Sequence, residues 1–333
     1  MTQNDNPTPT PATAQPAPAT AQPAGAPATD GSEAKAEGTP SSAAAPAAGV
    51  KRTVLDEDDV YQMVPRLRKH PKLVRWALKW LYLDHVNDVH TRYFDDPGPA
   101  FPRNLLKDFD ITLRVDGQDV LNNLPEGAFI TVSNHPFGAL DGITLIALVG
   151  SRRPDYKVMV NMILGKITAM EPNFIKVDAL SSDDPKKKAV SMLGIKAAIQ
   201  QVKQGKPLGF FPAGAVSKVN WRGRLYDRTW QPSVIRLIDK LKVPVVPIYF
   251  HGSNSWFFNF LGVVCWQLRT LRLPREVWRK CHTTMHVSVG DPISVAEQRQ
   301  HAGSIEQLGQ FLKDKTYALR DRKEKDAPVL KIY

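Results

Sequence analysis

The chain of 333 residues carries 44 basic and 33 acidic side chains, a formal surplus of +11. Residues 1–50 hold four of the acids and one lysine, so about +14 remains on the rest. A surplus of this size points to an anionic partner: nucleic acid, a phosphorylated carrier or a negatively charged membrane face. The two cysteines, Cys265 and Cys281, are too few for a disulfide framework and stand at no metal-ligand spacing. No uninterrupted apolar run reaches the roughly eighteen residues of a spanning helix, so contact with a membrane is expected at its surface only.

Residues 1–50 are built mostly from Ala, Pro, Thr, Ser and Gln, without one aromatic residue. Such a composition cannot bury enough apolar surface to offset its ordering entropy, and it reads as a disordered tail. It has neither the Arg content of a transit peptide nor the apolar core of a secretory signal. Residues 51–110 read as a helical N-terminal region and 111–333 as one α/β domain of ordinary size.

In chain order, the pattern over 57–83 is helical, broken at Pro65 and again around Pro71. In its last piece Trp76 and Trp80 stand among aliphatic residues, with only Lys72, Arg75 and Lys79 for charge. That composition suits an interfacial helix lying on lipid, and equally a packed helix whose lysines reach solvent. A strand follows at 111–115. The nearly continuous apolar run 128–133 suggests a strand buried on both faces, leading straight into Asn134-His135-Pro136. A helix is expected over 142–149, strands at 156–160 and 174–177, and a helix over 187–204 closed by Gly205.

Another strand at 208–211 runs into a Pro-Ala-Gly turn, followed by a helix at 233–241 and a β-branched strand at 243–250. The aromatic stretch 255–266 is either a buried helix or a second lipid-facing surface, and the basic residues Arg269, Arg272, Arg275, Arg279 and Lys280 after it favour lipid. A strand at 283–289 and an amphipathic helix at 305–320 close the chain. Strands alternating with helices define an α/β fold with a central mixed, largely parallel sheet flanked by helices.

The stretch from Asn134 to Gly142 carries the chemistry. A strand ends, the chain turns through Pro136 and Gly138, and a helix begins near Asp141. An imidazole is thereby brought to the carboxyl edge of the sheet with a carboxylate in reach of one ring nitrogen. A carboxylate there holds the tautomer and leaves the other nitrogen to accept a proton. The pair has no attached nucleophile, so the nucleophile would be the substrate's own hydroxyl. The same residues also suit a plain turn with Asp141 as a helix N-cap.

Three further blocks decide between these. Phe211-Pro212-Ala213-Gly214-Ala215-Val216-Ser217 resembles the Phe-Pro-Glu-Gly-Thr-Arg-Ser block of the glycerolipid (1-acylglycerol-3-phosphate) O-acyltransferase superfamily. Asn173-Phe174-Ile175-Lys176 stands where that superfamily has its second block, and 243–248, with Pro247, resembles its fourth. Gly290-Asp291-Pro292-Ile293 is similar to the turn that closes its fold. The blocks keep their order from about residue 113 to 293, over half of the chain.

The resemblance implies that His135 is a general base and Asp141 its orienting partner. The reaction it implies is direct attack of a lipid hydroxyl on an acyl-carrier-protein or coenzyme A thioester, with no cofactor, no metal and no acyl-enzyme. It places Asn134, Gly138, Lys176, Phe211, Pro212, Gly214, Ser217, Lys218 and Pro247 at the substrate site. Backbone N–H groups near Gly214 would stabilise the oxyanion, or Gly214 serves only a tight turn.

The chain also departs from the pattern. Five residues separate His135 from Asp141 where the superfamily has four, and Gly138 is the place to absorb the extra one. Val177 and Val216 stand where the superfamily has arginines, and Ala213 replaces its glutamate. Either Lys176, Lys218 or the 186–188 lysines take over phosphate binding, or the acceptor has no phosphate; lysine lacks the bidentate fork of arginine. The wording of the blocks, with Tyr249-Phe250-His251-Gly252-Ser253-Asn254-Ser255, more closely resembles a bacterial hemolysin-like branch that includes O-acyltransferases of ornithine and glycine lipids.

The expectation is therefore an acyltransferase acting on a lyso-aminolipid, bound peripherally to an anionic membrane at the cytoplasmic face of the inner membrane. The alternatives are a 1-acylglycerol-3-phosphate acyltransferase and a non-catalytic basic binding protein. No nucleic-acid motif accompanies the basic clusters.

Overall fold

The computed structural model describes residues 51–178, 185–220, 222–264, 266–322 and 327–330. The readings placed on the 1–50 tail, on Cys265, and on the side chains of Trp266 and the 186–188 lysines fall outside what is described.

Four helices open the fold: α1 Glu57–Met63, α2 Pro71–Trp80, α3 Leu83–Arg92 and α4 Ala100–Asp108. Pro65 and Pro71 each begin a new helical turn, because a residue without an N–H is tolerated only where that donor is unpaired anyway. Strand β1 Thr112–Asp116 follows, then α5 Gln118–Asn122, β2 Ile130–Ser133, α6 Ala139–Gly150, β3 Lys157–Asn161 and β4 Phe174–Val177. Next come α7 Pro185–Lys203, β5 Leu208–Phe210, the small hairpin β6 Lys218–Val219 and β7 Leu225–Tyr226, α8 Pro232–Leu241 and β8 Val245–His251. The last elements are α9 Trp256–Val264, α10 Trp266–Leu271, α11 Leu273–Trp278, β9 Thr284–Val289, α12 Val295–Gln300, α13 Ile305–Ala318 and β10 Val329–Leu330.

Eight strands form one sheet in the order β10-β1-β9-β8-β2-β5-β3-β4. The block β8-β2-β5-β3-β4 is parallel throughout, β9 runs antiparallel to β8, and β10 lies antiparallel on β1 at the edge. The sheet is mixed and largely parallel, as the sequence indicates. β2 lies at its centre, and all four of its residues are buried because apolar layers cover both faces. On one side Leu106, Leu113, Phe129, Ile146 and Phe250 pack together beneath α4 and α6. On the other, Val132, Phe210, Ile235, Ile238, Leu308 and Leu312 pack with α8 and α13.

One glycine sets how closely the central strands approach the layer above them. A Cβ at Gly209 of β5 would lie 2.1 Å from the Tyr156 hydroxyl, which itself bonds Thr131 Oγ1 of β2 at 2.6 Å. The side chain that precedes β3 is thereby locked over β5 and β2.

The strands and the long helices start and end within two or three residues of the positions read from periodicity. α3 and α4 lie within the 51–110 region read as helical, without bounds of their own, while the short helices α5, α10, α11 and α12, the β6–β7 hairpin and β10 are not anticipated. α6 begins at Ala139, ahead of the apolar run, so Asp141 is its third residue and not its N-cap. Among the described residues no helix is long and apolar enough to cross a membrane.

Candidate active site

β2 delivers His135 to the carboxyl end of the parallel block, where the chain must turn sharply to enter α6. Gly138 makes that turn possible. Its φ is +77°, closed to residues with a side chain, and a Cβ there would meet Leu273 at 2.7 Å. It is the one residue between His135 and Asp141 with positive φ, as expected of the position that absorbs the extra residue of the loop.

The turn is closed by Asp141. Its Oδ2 accepts from the Phe137 N–H at 2.8 Å and the Gly138 N–H at 2.9 Å, and lies 3.0 Å from His135 Nδ1. The approach to the imidazole is off the axis of the ring N–H, so His135 Nδ1 and Asp141 Oδ1 are both left without a hydrogen-bond partner of good geometry. Asp141 is completely buried while His135 stays partly exposed. Burial pushes the Asp141 carboxyl above its usual value, against the opposing pull of His135 and the two N–H groups.

The His135 ring packs on Phe211, with centroids 4.2 Å apart, and both line a cavity of about 170 Å³. The walls are mainly apolar, from Ile143, Met159, Leu164, Met170, Phe174, Val177 and Val234, with Gly138, Gly142 and Gly214 at close approaches. An imidazole thus lines a mainly apolar cavity, a lining suited to an acyl chain.

The expected site residues separate into three groups. His135, Gly138, Phe211 and Gly214 line the cavity together. Asn134, Pro212 and Ser217 act beneath it. The Asn134 amide exchanges two hydrogen bonds with the Phe250 backbone, at 2.9 and 2.7 Å, and ties β2 to β8. The Pro212 carbonyl accepts from Gln231 N. Ser217 accepts from His135 N at 3.1 Å, donates to Asp227 at 2.5 Å, and its own N–H donates to the His135 carbonyl at 2.8 Å.

Lys176, Lys218 and Pro247 are not among the residues that line the cavity. Lys176 pairs with Glu171, Lys218 lies in the β6–β7 hairpin, and Pro247 packs against Gly290.

The Gly214 N–H closes a turn onto the Phe211 carbonyl at 2.9 Å, so it is not available to an oxyanion. A residue the motifs do not mark stands beside it: Gln231, whose Nε2 would meet a Cβ on Gly214 at 1.9 Å and which lines the cavity. Its amide can donate there, and nothing in the local pattern, a Gln before a Pro, announces that. Lys280 is not among the residues lining the cavity but packs on the turn after His135. Its Nζ stands 4.7 Å over the Phe137 ring and donates to the Ser253 carbonyl, and burial pushes its pKa down.

Away from the cavity, Asp116, His251 and His286 bring one ligand atom each within 4.8 Å of one another. Ser288 Oγ already links Asp116 and His251, at 2.6 and 2.7 Å, and the two imidazoles stack with planes 24° apart. The in-plane lone pairs of stacked rings do not converge on one ion. His251 therefore sits in a strand-to-strand polar cluster and is not among the residues lining the cavity.

The site brings together an imidazole, a buried carboxylate and an apolar cavity. The chain matches the acyltransferase family over residues 60–326, and it belongs to that family; it is an acyltransferase. It is 28% identical over 271 residues to a lyso-glycine lipid O-acyltransferase of Bacteroides thetaiotaomicron, covering 78% of this chain and 92% of that one. A second lyso-glycine lipid O-acyltransferase, from Phocaeicola vulgatus, is 26% identical over 267 residues, covering 76% and 90%. Among solved structures, the 1-acyl-sn-glycerophosphate acyltransferase PlsC of Thermotoga maritima is similar with a TM-score of 0.42 at 15% identity, over 76% of this chain and 95% of that one.

The raised pKa of Asp141 has a consequence for stability. Below the usual carboxylate value of 3.8 the group is neutral in folded and unfolded chains alike. As pH rises through the higher folded value, the folded state must hold a buried charge that the unfolded chain hydrates, and stability falls. Asp141→Asn removes that titration. The melting temperature of the variant relative to wild type is expected to rise from acidic to neutral pH, even as activity is lost. A difference that stays flat or falls with pH contradicts the assignment.

Proposed function

We propose that His135 is the general base of an O-acyl transfer from a thioester to the hydroxyl of a lyso-aminolipid, an N-acylated amino acid. The observation that carries this reading is the pairing of buried Asp141 with His135, whose imidazole lines an apolar cavity. With Nδ1 turned to Asp141, Nε2 takes the hydroxyl proton as the oxygen attacks the thioester carbonyl. The C–S bond then breaks, and the same proton passes to the departing thiolate. Asp141 holds the tautomer and steadies the transient imidazolium. Acyl carrier protein or coenzyme A is the donor's carrier. His135→Ala is expected to lower kcat by roughly two to four orders of magnitude with the circular dichroism spectrum unchanged. Near wild-type turnover in the folded variant rules out this role.

The acceptor reading draws support from the names of the two relatives and from the cavity wall. Val177, where an arginine would suit a phosphate monoester, lines the cavity, and Lys176 and Lys218 are not among the lining residues. Offered the same thioester, an N-(3-hydroxyacyl)glycine is expected to be acylated with a higher kcat/KM than lysophosphatidic acid. The reverse order would place the enzyme in phospholipid synthesis.

The exposed aromatic residues support attachment to the surface of an anionic membrane, for which the cytoplasmic face of the inner membrane is the proposed location. Trp76 and Trp80 of α2 are 62% and 48% exposed and stack on each other, and Val74 is the buried residue of that helix. On α9, Trp256 is 77% and Val263 87% exposed. Arg275 stands over Trp80 and Tyr82 and links α11 to the end of α2. An amphipathic surface of this kind binds by apolar insertion plus attraction of its cations to anionic head groups. Replacing Trp76 and Trp80 by Ser should weaken co-sedimentation with anionic vesicles by about tenfold or more. Equal sedimentation of variant and wild type would exclude α2 from the contact.

A further inference from the structure

α10 carries an arginine in an unusual electrostatic position. Arg269 is 8% exposed, yet no carboxylate pairs with it among the described residues. Its Nη2 donates to the carbonyls of Ser217 at 2.7 Å and Val216 at 3.2 Å, and its guanidinium lies 4.7 Å over the Phe258 ring. Its Nε is buried without any acceptor. Arg272, three residues on, shows the ordinary solution: equally buried, it is paired with Glu276 at 2.9 Å. A buried cation without an anion is costly unless one arrives to complete it. Burial pushes the Arg269 pKa below its ordinary value, and the charge acting with it, Arg228, has the same sign.

The position is next to the reacting centre. Val216 and Ser217, the residues capped by Arg269, are the ones that touch Gly138 and hold the His135 backbone at both its N–H and its carbonyl. Carbonyl oxygens satisfy one nitrogen of the guanidinium and leave Nε for a ligand oxygen, and a carboxylate presents two such oxygens to a guanidinium.

We propose that Arg269, with exposed Arg228 adding positive charge, is the subsite for the carboxylate of the acyl acceptor. It would hold the free carboxyl group of an N-acylated amino acid while His135 acts on a hydroxyl a few bonds away. This assignment rests on the lyso-aminolipid reading and gives it a specificity-determining residue.

The test uses the full-length enzyme and three acceptors with one thioester: an N-(3-hydroxyacyl)glycine, its methyl ester and lysophosphatidic acid. The ester keeps the reacting hydroxyl and the chain and removes only the charge. Wild type is expected to use the free acid roughly ten- to a hundredfold better than the ester, mostly through KM, as fits a charged hydrogen bond. Arg269→Gln should abolish the preference for the free acid, bringing the acid-to-ester ratio of kcat/KM to about one whatever common loss the 216–217 loop contact adds to both, and Arg269→Lys should restore part of the ratio.

A merely structural arginine, tying α10 to the 216–217 loop, would depress both acceptors alike through kcat, and that outcome overturns the assignment. Should Arg269→Gln fail to fold, the wild-type ratio of acid to ester decides: equal use of the two overturns the subsite while a preference for the acid over lysophosphatidic acid leaves the aminolipid reading standing. Preference of wild type for lysophosphatidic acid overturns both.

Discussion

A carboxylate without access to water closes the turn that carries His135, and much of the site follows from that. Asp141 gathers two backbone N–H groups and one imidazole nitrogen onto a single oxygen. Those contacts hold a tight connection between the central strand β2 and a helix that is buried over nearly its whole length. The arrangement opposes its own ionisation, since burial raises the carboxyl pKa while the imidazole and the amides lower it. A buried group in that balance is destabilising for the fold when charged.

The rest of the site is a second ring of contacts that keeps the His135 backbone from moving. Asn134 fastens the end of β2 to β8 through two hydrogen bonds. Ser217 fastens the other side, and is itself held by Asp227, which also accepts from the Trp230 indole. Arg269 then caps the carbonyl side of the same loop. Residues that resemble substrate contacts in a motif are thus largely the supports of one imidazole. Holding a proton acceptor in place through backbone bonds to rigid strands is what makes a single side chain effective.

On the surface, the apolar residues do not follow the rule that aromatics go inside. α2 and α9 turn tryptophans and valines outward, and cations stand over neighbouring rings at Trp80, Tyr82 and Phe257. Hydrocarbon-seeking side chains beside guanidinium groups are costly in water and favourable where a bilayer interface supplies both environments.

The residue order by itself determined the alternation of strands and helices, because each buried face imposes a period of its own on the chain. It also determined the His135–Asp141 pair and the glycine between them, since a turn that short is a local property. Pro65 and Pro71 likewise break the first helices for reasons internal to the backbone. Only the tertiary structure decided which motif residues reach the cavity. Lys176 and Lys218 are near the right blocks in sequence yet are not among the residues lining the cavity, because one pairs with Glu171 and the other begins a two-residue hairpin strand. Gln231, the residue before α8, carries no motif and lines the cavity, and Arg269 of α10 reaches the carbonyls of the 216–217 loop, both dozens of residues from His135 in the chain. Their roles depend on what each side chain is buried against and which carbonyls are left for it, and long-range packing settles both without leaving a period or a spacing to read.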